Sequence, residues 1–569
     1  MDKIWEVCEE YGCMVGETPF SVEKSTYSDH NNKAEKRVQV TNEMTAADWQ
    51  VLLDPLLLHI FGYLSPQEVV RCSQTCLTWY RVALDESLWK QHVYRTWNIT
   101  GDLAPGTESW YSEYKRLICN VPSECYLELK DHKDEVLDVT FSHDGQHFCT
   151  TSKDATVKVW KFHKDGTVSI RFQDNLLLKL GWNLTQYSVF NRTDTLLLVC
   201  GVKISGVLPS LDPNPETYTP MGFGAVYNMN NFQLLCVMVM DPPHLFADWF
   251  DDHTCVGGYQ DGAAGIFKVN SYKIIMTFTI SDREEYTEDK AGEVICTFEG
   301  DSRRAMNLLV VKVPKTLINN LRSNNNGLTT HTKRVQAEKM SKENGKDKIQ
   351  SDISLDNLEK LLVFVTGAHH DKLAFYEVKN IANSNNNNNK KSILSDSKRN
   401  KTTVSAAAAS RKSSRQKVDK PLHIVKQLFI NSRPCVVTED LEYPSLLEDL
   451  EIQVVDLNTC TLVQNFKLGG HKAYSDFPAW YICLDASPFY VVSGSEEALA
   501  YVWDKHYQCR LKTLQHLEGV VNGVAFNPAD PETIVTVGDD LKIMIWCSKN
   551  RLKKLSQTCN RGKHLLLMR

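Results

Sequence analysis

Residues 132–160 read HKDEVLDVTFSHDGQHFCTTSKDATVKVW. Apolar and polar residues alternate through Thr156-Val-Lys-Val-Trp160, the period of a strand with one buried face. His143-Asp-Gly145 and Lys153-Asp154-Ala155 punctuate the stretch as turns, so it reads as several short strands. The same order returns twice, at 471–503 (HKAYSDFPAWYICLDASPFYVVSGSEEALAYVW) and at 516–546 (HLEGVVNGVAFNPADPETIVTVGDDLKIMIW). In each copy an acid precedes a tryptophan by six positions: Asp154 before Trp160, Glu497 before Trp503, Asp540 before Trp546. In each copy a histidine (His132, His471 or His516) stands 22 to 26 residues before that acid. Self-similarity of this kind marks a repeat architecture. Recurrence also favours a structural role for the histidines and acids, because an active site need not be built three times.

Outward from these copies the pattern weakens but persists. Ser188-Val-Phe-Asn-Arg-Thr-Asp194 followed by LLLVCG echoes FSHDG of the first copy, and Cys255–Gly262 followed by GIFKV has the form of another turn and strand. Sheets built from such units need their exposed edges covered. Cys125–Leu129, ahead of the first histidine, is expected to pair with the last unit and cover its edge. Residues 319–354 and 381–420 are rich in Asn, Lys and Ser. The second stretch holds ten Lys or Arg against two Asp, a local charge of +8. Neither has the apolar content to fold. Leu361–Thr366 and Leu373–Val378 between them return to strand pattern, so both stretches read as insertions.

Toward the N-terminus the period changes. Residues 1–46 are polar and read as a mobile leader. Leu52, Leu53, Leu56, Leu57, Ile60, Phe61 and Leu64 then recur at helical spacing. Pro55 suits a first helical turn, where the missing amide has no partner to lose. Ser65-Pro66 starts a second helix, with Glu68 placed for a capping box. Val69, Trp79, Leu88 and Trp89 continue the pattern, giving three or four short helices. So small a unit is not robust alone, and its surplus apolar residues suit a docking surface. A connecting helix carries Trp110, Tyr114 and Leu117 at i, i+4 and i+7.

The bulk numbers exclude several classes. The chain has 569 residues, 42% hydrophobic and 24% charged, so more than one domain or one large repeat array is expected. A net charge of −6 does not suit a surface built for nucleic acid. The longest apolar runs, such as Leu234–Met240, are too short to span a bilayer. The 17 cysteines show no framework spacing, and Met1–Glu10 lacks an apolar core, so reduced thiols inside the cell are expected. Cys72 and Cys76 lack a second ligand pair for zinc. No nucleophile–base pair, phosphate loop or metal spacing stands out, and no cofactor is expected.

The run LLDPLLLHIFGYLSPQEVVRCSQTCLTWYRVALDESLWK, Leu52 to Lys90, resembles an F-box. Pro55, Ile60-Phe61, Leu64, Cys76-Leu77-Thr78-Trp79 and Leu88-Trp89 match the family pattern in order, while Asp54 interrupts its Leu-Pro opening. The repeats resemble WD repeats, in which four strands form one propeller blade. That likeness implies that the histidine, a strand Ser or Thr, the acid and the tryptophan form one hydrogen-bonded set per blade. Glu497 departs from the family's Asp. The combined resemblance is to the F-box plus WD-repeat family, and it implies a small all-α module followed by an all-β propeller of about seven blades, several degenerate. The expected division is leader 1–46, F-box 47–93, connecting helix 94–121, propeller 122–555 with the two insertions, and tail 556–569.

The resemblance further implies a non-catalytic substrate receptor of a cullin-based ubiquitin ligase. Pro55, Leu56, Ile60, Phe61, Leu64, Val69, Trp79, Leu88 and Trp89 would bind the S-phase kinase-associated adaptor that links to the cullin. The propeller would capture client proteins for degradation. The alternatives are a propeller scaffold without a ligase role, and a receptor for the second cullin system that uses the damage-specific DNA-binding protein adaptor. Propellers of that system often carry Trp-Asp-x-Arg; here the tetrapeptides are Trp160-Lys-Phe-His, Trp503-Asp-Lys-His and Trp546-Cys-Ser-Lys. No membrane and no specific nucleic acid are expected as partners. The expected location is the cytoplasm, with the nucleus as a second site.

Overall fold

A computed structural model of the chain describes residues 52–163, 165–205, 219–239, 247–249, 252–261, 271–279, 294–299, 305–314, 358–366, 372–377, 427–432, 435–436, 445–446, 448–456, 461–464, 466–474 and 482–561. The leader 1–46 and the insertions 319–354 and 381–420 lie outside these residues. The chain divides into two units. The first holds residues 1–126, 504–512 and 547–569; the second holds 127–503 and 513–546.

The first unit is helical. Helix α1 spans Asp54–Phe61, α2 Pro66–Cys72, α3 Leu77–Ala83, α4 Glu86–Trp97 and α5 Trp110–Cys119. Each start is set locally. Pro55 occupies the first turn of α1. Ser65 caps α2 in a full capping box, its hydroxyl accepting from the Glu68 amide while the Glu68 carboxylate accepts from the Ser65 amide at 2.7 Å. Asp85 caps α4, and that helix runs to Trp97, past the expected boundary at 93. It stops at Asn98, whose φ of 56° is left-handed and ends the helical ladder. Leu57, Phe61, Val69, Val82, Leu88, Trp89 and Val93 form the interior. Trp89 is its hub. Its indole N–H donates to the Ala83 carbonyl at 2.6 Å, and its ring lies 4.7 Å from Tyr111 and 5.2 Å from Tyr114. Trp110, Tyr114 and Leu117 of α5 are all buried, as their spacing predicts.

Eight sheets occur among the described residues, seven of three or four strands and one two-stranded hairpin, most of them in the second unit. The first contains Val136–Phe141, His147–Ser152, Thr156–Phe162 and Val168–Asn175. The second contains Leu184–Phe190, Leu196–Ser205, Thr219–Asn228 and Leu234–Val239, and a short helix α6, Leu176–Leu180, leads into it. The third runs from Asp248 to Glu299, and the three-stranded fourth from Ala305 to Glu377. The fifth pairs Gln427–Ser432 with Asp449–Asp456, which also pairs Thr461–Leu462 and Leu468–Lys472. A small separate hairpin, Cys435–Val436 with Ser445–Leu446, sits in its first connection. The sixth runs from Leu484 to Gln515. The seventh has Val521–Asn527, Asp530–Gly538 and Ile543–Cys547, and takes Glu124–Leu129 as its fourth strand. Cys125–Leu129 thus joins the last sheet, and the sheet edge that would otherwise stay open is covered.

Hydrogen bonds join successive sheets. Asn522 donates to the Val136 carbonyl at 3.1 Å, Ser188 to Asp138 at 3.0 Å, the Trp249 indole to the Val189 carbonyl at 3.0 Å, and the Phe526 amide to Asp485 at 2.7 Å. Apolar clusters fill the spaces between sheets, one of them joining Val157 and Val159 to Trp182, Leu197, Val199 and Tyr227. Gly145 shows how closely the first and last sheets approach. Its φ is +67°, and a Cβ there would lie 2.1 Å from the Asn527 side chain. The turn therefore excludes any larger residue.

The chain ends within the first unit. A last helix, α7, spans Lys549–Arg561 where the sequence suggested the end of the propeller and a tail. Its stretch KNRLKKLSQTCNR is mostly polar, so no apolar period announced it. Asn550 donates to Asn120, just past α5, at 2.7 Å.

Candidate functional site

The apolar residues expected to form one docking surface separate into two groups. Pro55, Leu56 and Ile60 are exposed on α1, and Leu64 and Trp79 are half-buried. Phe61, Val69, Leu88 and Trp89 are buried and face the helical interior. This corrects the sequence reading, which set them on the docking surface: in the structure those four are buried and hold the helices together. The helical period explains the division, since residues one apart on α1, such as Ile60 and Phe61, face about 100° apart. Four further exposed side chains were missed: Leu53 (70% exposed), Tyr63, Leu77 (85%) and Tyr94. Leu53, Leu56 and Ile60 fall at i, i+3 and i+7 and make one stripe along α1. Asp54, which interrupts the Leu-Pro opening, meets Arg81 of α3 at 2.7 Å and ties the start of α1 to that helix.

The repeat residues assemble as follows. In the first sheet His132 Nδ1 lies 3.1 Å from the Asp154 carboxylate and Nε2 lies 2.8 Å from the Thr150 hydroxyl. The Trp160 indole N–H donates to the same hydroxyl at 2.9 Å. The seventh sheet repeats this: His516 to Asp540 at 3.1 Å, His516 to Thr536 at 2.7 Å, and Trp546 to Thr536 at 2.8 Å. Burial acts to raise both acids. Bonds from the histidine and neighbouring backbone amides outweigh it and hold Asp154 and Asp540 below the ordinary carboxylate range. The residue after each acid has left-handed φ: Ala155 at 57°, Ala498 at 59° and Leu541 at 64°. The tight turn is thus common to all three copies.

The middle copy is wired differently, and this is a second correction. His471 and Glu497 do not bond to each other. His471 Nε2 lies 3.1 Å from the Asn431 side-chain oxygen, and Asn431 donates to Ser493 at 2.9 Å. Glu497 instead accepts from the Tyr501 hydroxyl at 2.6 Å. The Nδ1 of His471 has no hydrogen-bond partner. Its ring packs edge-on against Trp503 at 5.1 Å, and burial lowers its pKa to about 4, so it is neutral at physiological pH. Asn431 lies 40 residues before His471, on another strand, and no sequence spacing points to it.

Among the described residues, no group of three or more His, Cys, Asp or Glu is placed to hold a metal ion. No helix there is long and apolar enough to cross a membrane. Of the three tetrapeptides weighed against Trp-Asp-x-Arg, only that at Trp503 has the acid, and its Asp504 carboxylate is taken by Arg116 at 2.7 Å.

Fold and site together define a chain that joins an F-box-like helical module to WD-repeat sheets. The F-box-like family model matches residues 54–95, and the WD domain, G-beta repeat model matches 123–161. Over most of its length the chain is similar to F-box/WD repeat-containing protein 5. It is 27% identical to the Mus musculus protein over 567 residues, covering 89% of this chain and 95% of that protein. The Homo sapiens protein is 27% identical over 563 residues with the same coverage. Similarity to F-box/LRR-repeat protein 5 of Danio rerio is confined to 68 residues, at 38% identity, or 12% of this chain and 9% of that protein.

Proposed function

We propose that this chain is the substrate-recognition subunit of an SCF-type cullin-RING ubiquitin ligase, with no catalysis of its own. The observation that carries the reading is the exposed apolar stripe of Leu53, Leu56 and Ile60 at the start of the F-box-like segment, Leu53 standing one residue ahead of it. A stripe of large aliphatic residues left uncovered on a small helical unit favours burial against a partner. The partner is the S-phase kinase-associated adaptor, bound through Pro55, Leu56, Ile60, Leu64 and Trp79, and through it the cullin. The WD sheets hold the client. The rate gain comes from raised local concentration and orientation near the charged ubiquitin-carrying enzyme.

The test is gel filtration of the full chain with purified adaptor and cullin, beside a Leu56→Ser/Ile60→Ser variant. The unaltered chain co-elutes with both, and the variant loses at least about tenfold in affinity, since each buried aliphatic anchor contributes roughly 1–2 kcal/mol. Failure of the unaltered chain to co-elute refutes the receptor reading and favours a propeller scaffold without a ligase role.

A further inference from the structure

The chain holds two Ser-Pro dipeptides, Ser65-Pro66 and Ser487-Pro488. Ser487 is buried, and its hydroxyl accepts from the Tyr490 amide at 2.9 Å. Ser65 is exposed, in the turn between α1 and α2. Tyr63, Gln67 and Glu68 around it are exposed as well. The ring of Pro66 disfavours the helical region for the residue before it, and Ser65 has an extended φ of −68° and ψ of 155°. An exposed, extended serine followed by proline has the form that a proline-directed protein kinase accepts.

The Ser65 hydroxyl also holds a particular bond. It donates to a Glu68 carboxylate oxygen at 2.8 Å and accepts from the Glu68 amide at 3.4 Å. The same carboxylate oxygen accepts from the Ser65 amide at 2.7 Å. The bonds from the Ser65 amide and hydroxyl hold Glu68 below the ordinary carboxylate range, so it is ionised at physiological pH. A phosphate ester on Ser65 removes the O–H donor and sets nearly two negative charges beside that carboxylate. Repulsion then opens the capping box on the Glu68 side.

The new charge also falls on the docking residues of the receptor reading. Leu64 immediately precedes Ser65, and Ile60 stands four positions before Leu64. A partner that covers both would have to draw a doubly charged group out of water, which is far less favourable than covering a hydroxyl.

We propose that Ser65 is a phosphorylation site for a proline-directed protein kinase and that its phosphorylation releases the adaptor. The proposal rests on the receptor reading above and adds its regulation. In the transfer, Ser65 Oγ bonds to the γ-phosphorus of a nucleoside triphosphate held by the kinase. The bond to the β-phosphate oxygen breaks, the hydroxyl proton passes to the kinase's base, and the diphosphate leaves. Kinase and adaptor need the same turn, so each excludes the other.

The full-length chain is treated with a cyclin-dependent kinase and ATP, and phosphate is mapped by mass spectrometry. Ser65 should be modified and Ser487 should not. The phosphorylated chain should bind purified adaptor at least about tenfold more weakly than the unmodified chain, at nearly unchanged helical content. Adaptor bound beforehand should slow the modification of Ser65. Ser65→Asn keeps a side-chain oxygen to cap α2 and has no hydroxyl to modify, so kinase treatment should leave its adaptor affinity unchanged. Absence of phosphate on Ser65, equal adaptor affinity with and without it, or an equal loss in kinase-treated Ser65→Asn overturns the proposal. Failure of the unmodified chain to bind adaptor refutes the receptor reading and the release step with it, while the phosphate map still decides on its own whether Ser65 is modified.

Discussion

Arg116 meets Asp504 at 2.7 Å and with the same guanidinium holds Glu113, also at 2.7 Å. One cation thus serves two carboxylates that are almost wholly removed from water. Burial acts to raise Glu113; the Arg116 hydrogen bonds and charge outweigh it and hold its pKa below the ordinary value. Arg116→Ala leaves both acids without their cation, with only neutral donors remaining, a loss on the order of 3–5 kcal/mol. Hydrogen exchange of the amides in Trp110–Cys119 reads it, and protection should fall sharply at pH 7. The sign of the pH dependence follows from the lowered pKa. The Glu113 contribution is present above its unfolded pKa of 4.5 and fades as pH drops through the folded value. The gap between variant and unaltered chain should therefore narrow in acid. A gap that stays constant between pH 7 and pH 4 counts against the charge argument.

The difference between the two histidine networks gives a second prediction. Asp540 holds His516 and the Leu517 and Lys542 amides, so Asp540→Ala strips several buried partners at once. Buried bonds to a charged group contribute roughly 1.5–3 kcal/mol each, and a loss of at least that size is expected in urea denaturation. Glu497→Ala should cost much less, because Glu497 does not reach His471. Asn431→Ala takes the larger share in that copy, leaving both His471 and Ser493 without their link. Equal losses for Asp540→Ala and Glu497→Ala contradict this wiring.

Asp138 supplies a pH prediction for the second unit. It is buried, and burial pushes its pKa up to about 7, against the pull of the Ser188 and Val139 donors. The thiols of Cys149, Cys200 and Cys483 and the phenol of Tyr187 interact electrostatically with it and supply no positive charge. A folded pKa above the unfolded 3.8 means that the stabilising effect of the bound proton is complete below 3.8 and is lost as pH rises through about 7. Asp138→Asn keeps an oxygen for the Ser188 amide and carries no charge. The variant should match the unaltered chain near pH 4, gain on it up to pH 7 and hold a constant lead above that. The gap between 3.8 and about 7 corresponds to a ceiling of roughly 4 kcal/mol. Parallel melting curves at pH 5 and pH 8 decide the matter, and an Asn variant that melts lower at pH 8 rejects it.

The repeat copies at 132–160 and 516–546 were legible because each set lies within one continuous stretch, so residue spacing alone exposes it. Asn431 was not, because it reaches His471 from a distant strand, and the sequence carries no trace of which strands become neighbours. On α1 the helical period was plain, but period alone does not say which face packs inward. Ile60 and Phe61 read alike as a dipeptide, yet one is exposed and the other buried. The extension of α4 to Trp97 was hidden by its polar last turn, and α7 by the near absence of apolar residues. The closing strand at 124–129 could be anticipated because a ring of sheets with one open edge is physically incomplete.

The split within the helical unit leads to the last prediction. Leu53→Ser, Leu56→Ser and Ile60→Ser alter exposed positions, so each should leave the helical content and unfolding temperature of the chain nearly unchanged. Phe61→Ala and Trp89→Ala remove buried aromatic rings, and Trp89 also carries the bond to Ala83 that joins α3 to α4. Each should cost about 3–5 kcal/mol, enough to unfold so small a unit. All five variants should fail to bind the adaptor, but for different reasons. Circular dichroism and limited proteolysis of the full chain separate them: the exposed set stays folded and protease-resistant around residues 54–97, and the buried set does not. Adaptor binding retained by all three exposed variants would show that the α1 stripe is not the docking surface, whatever the buried pair does.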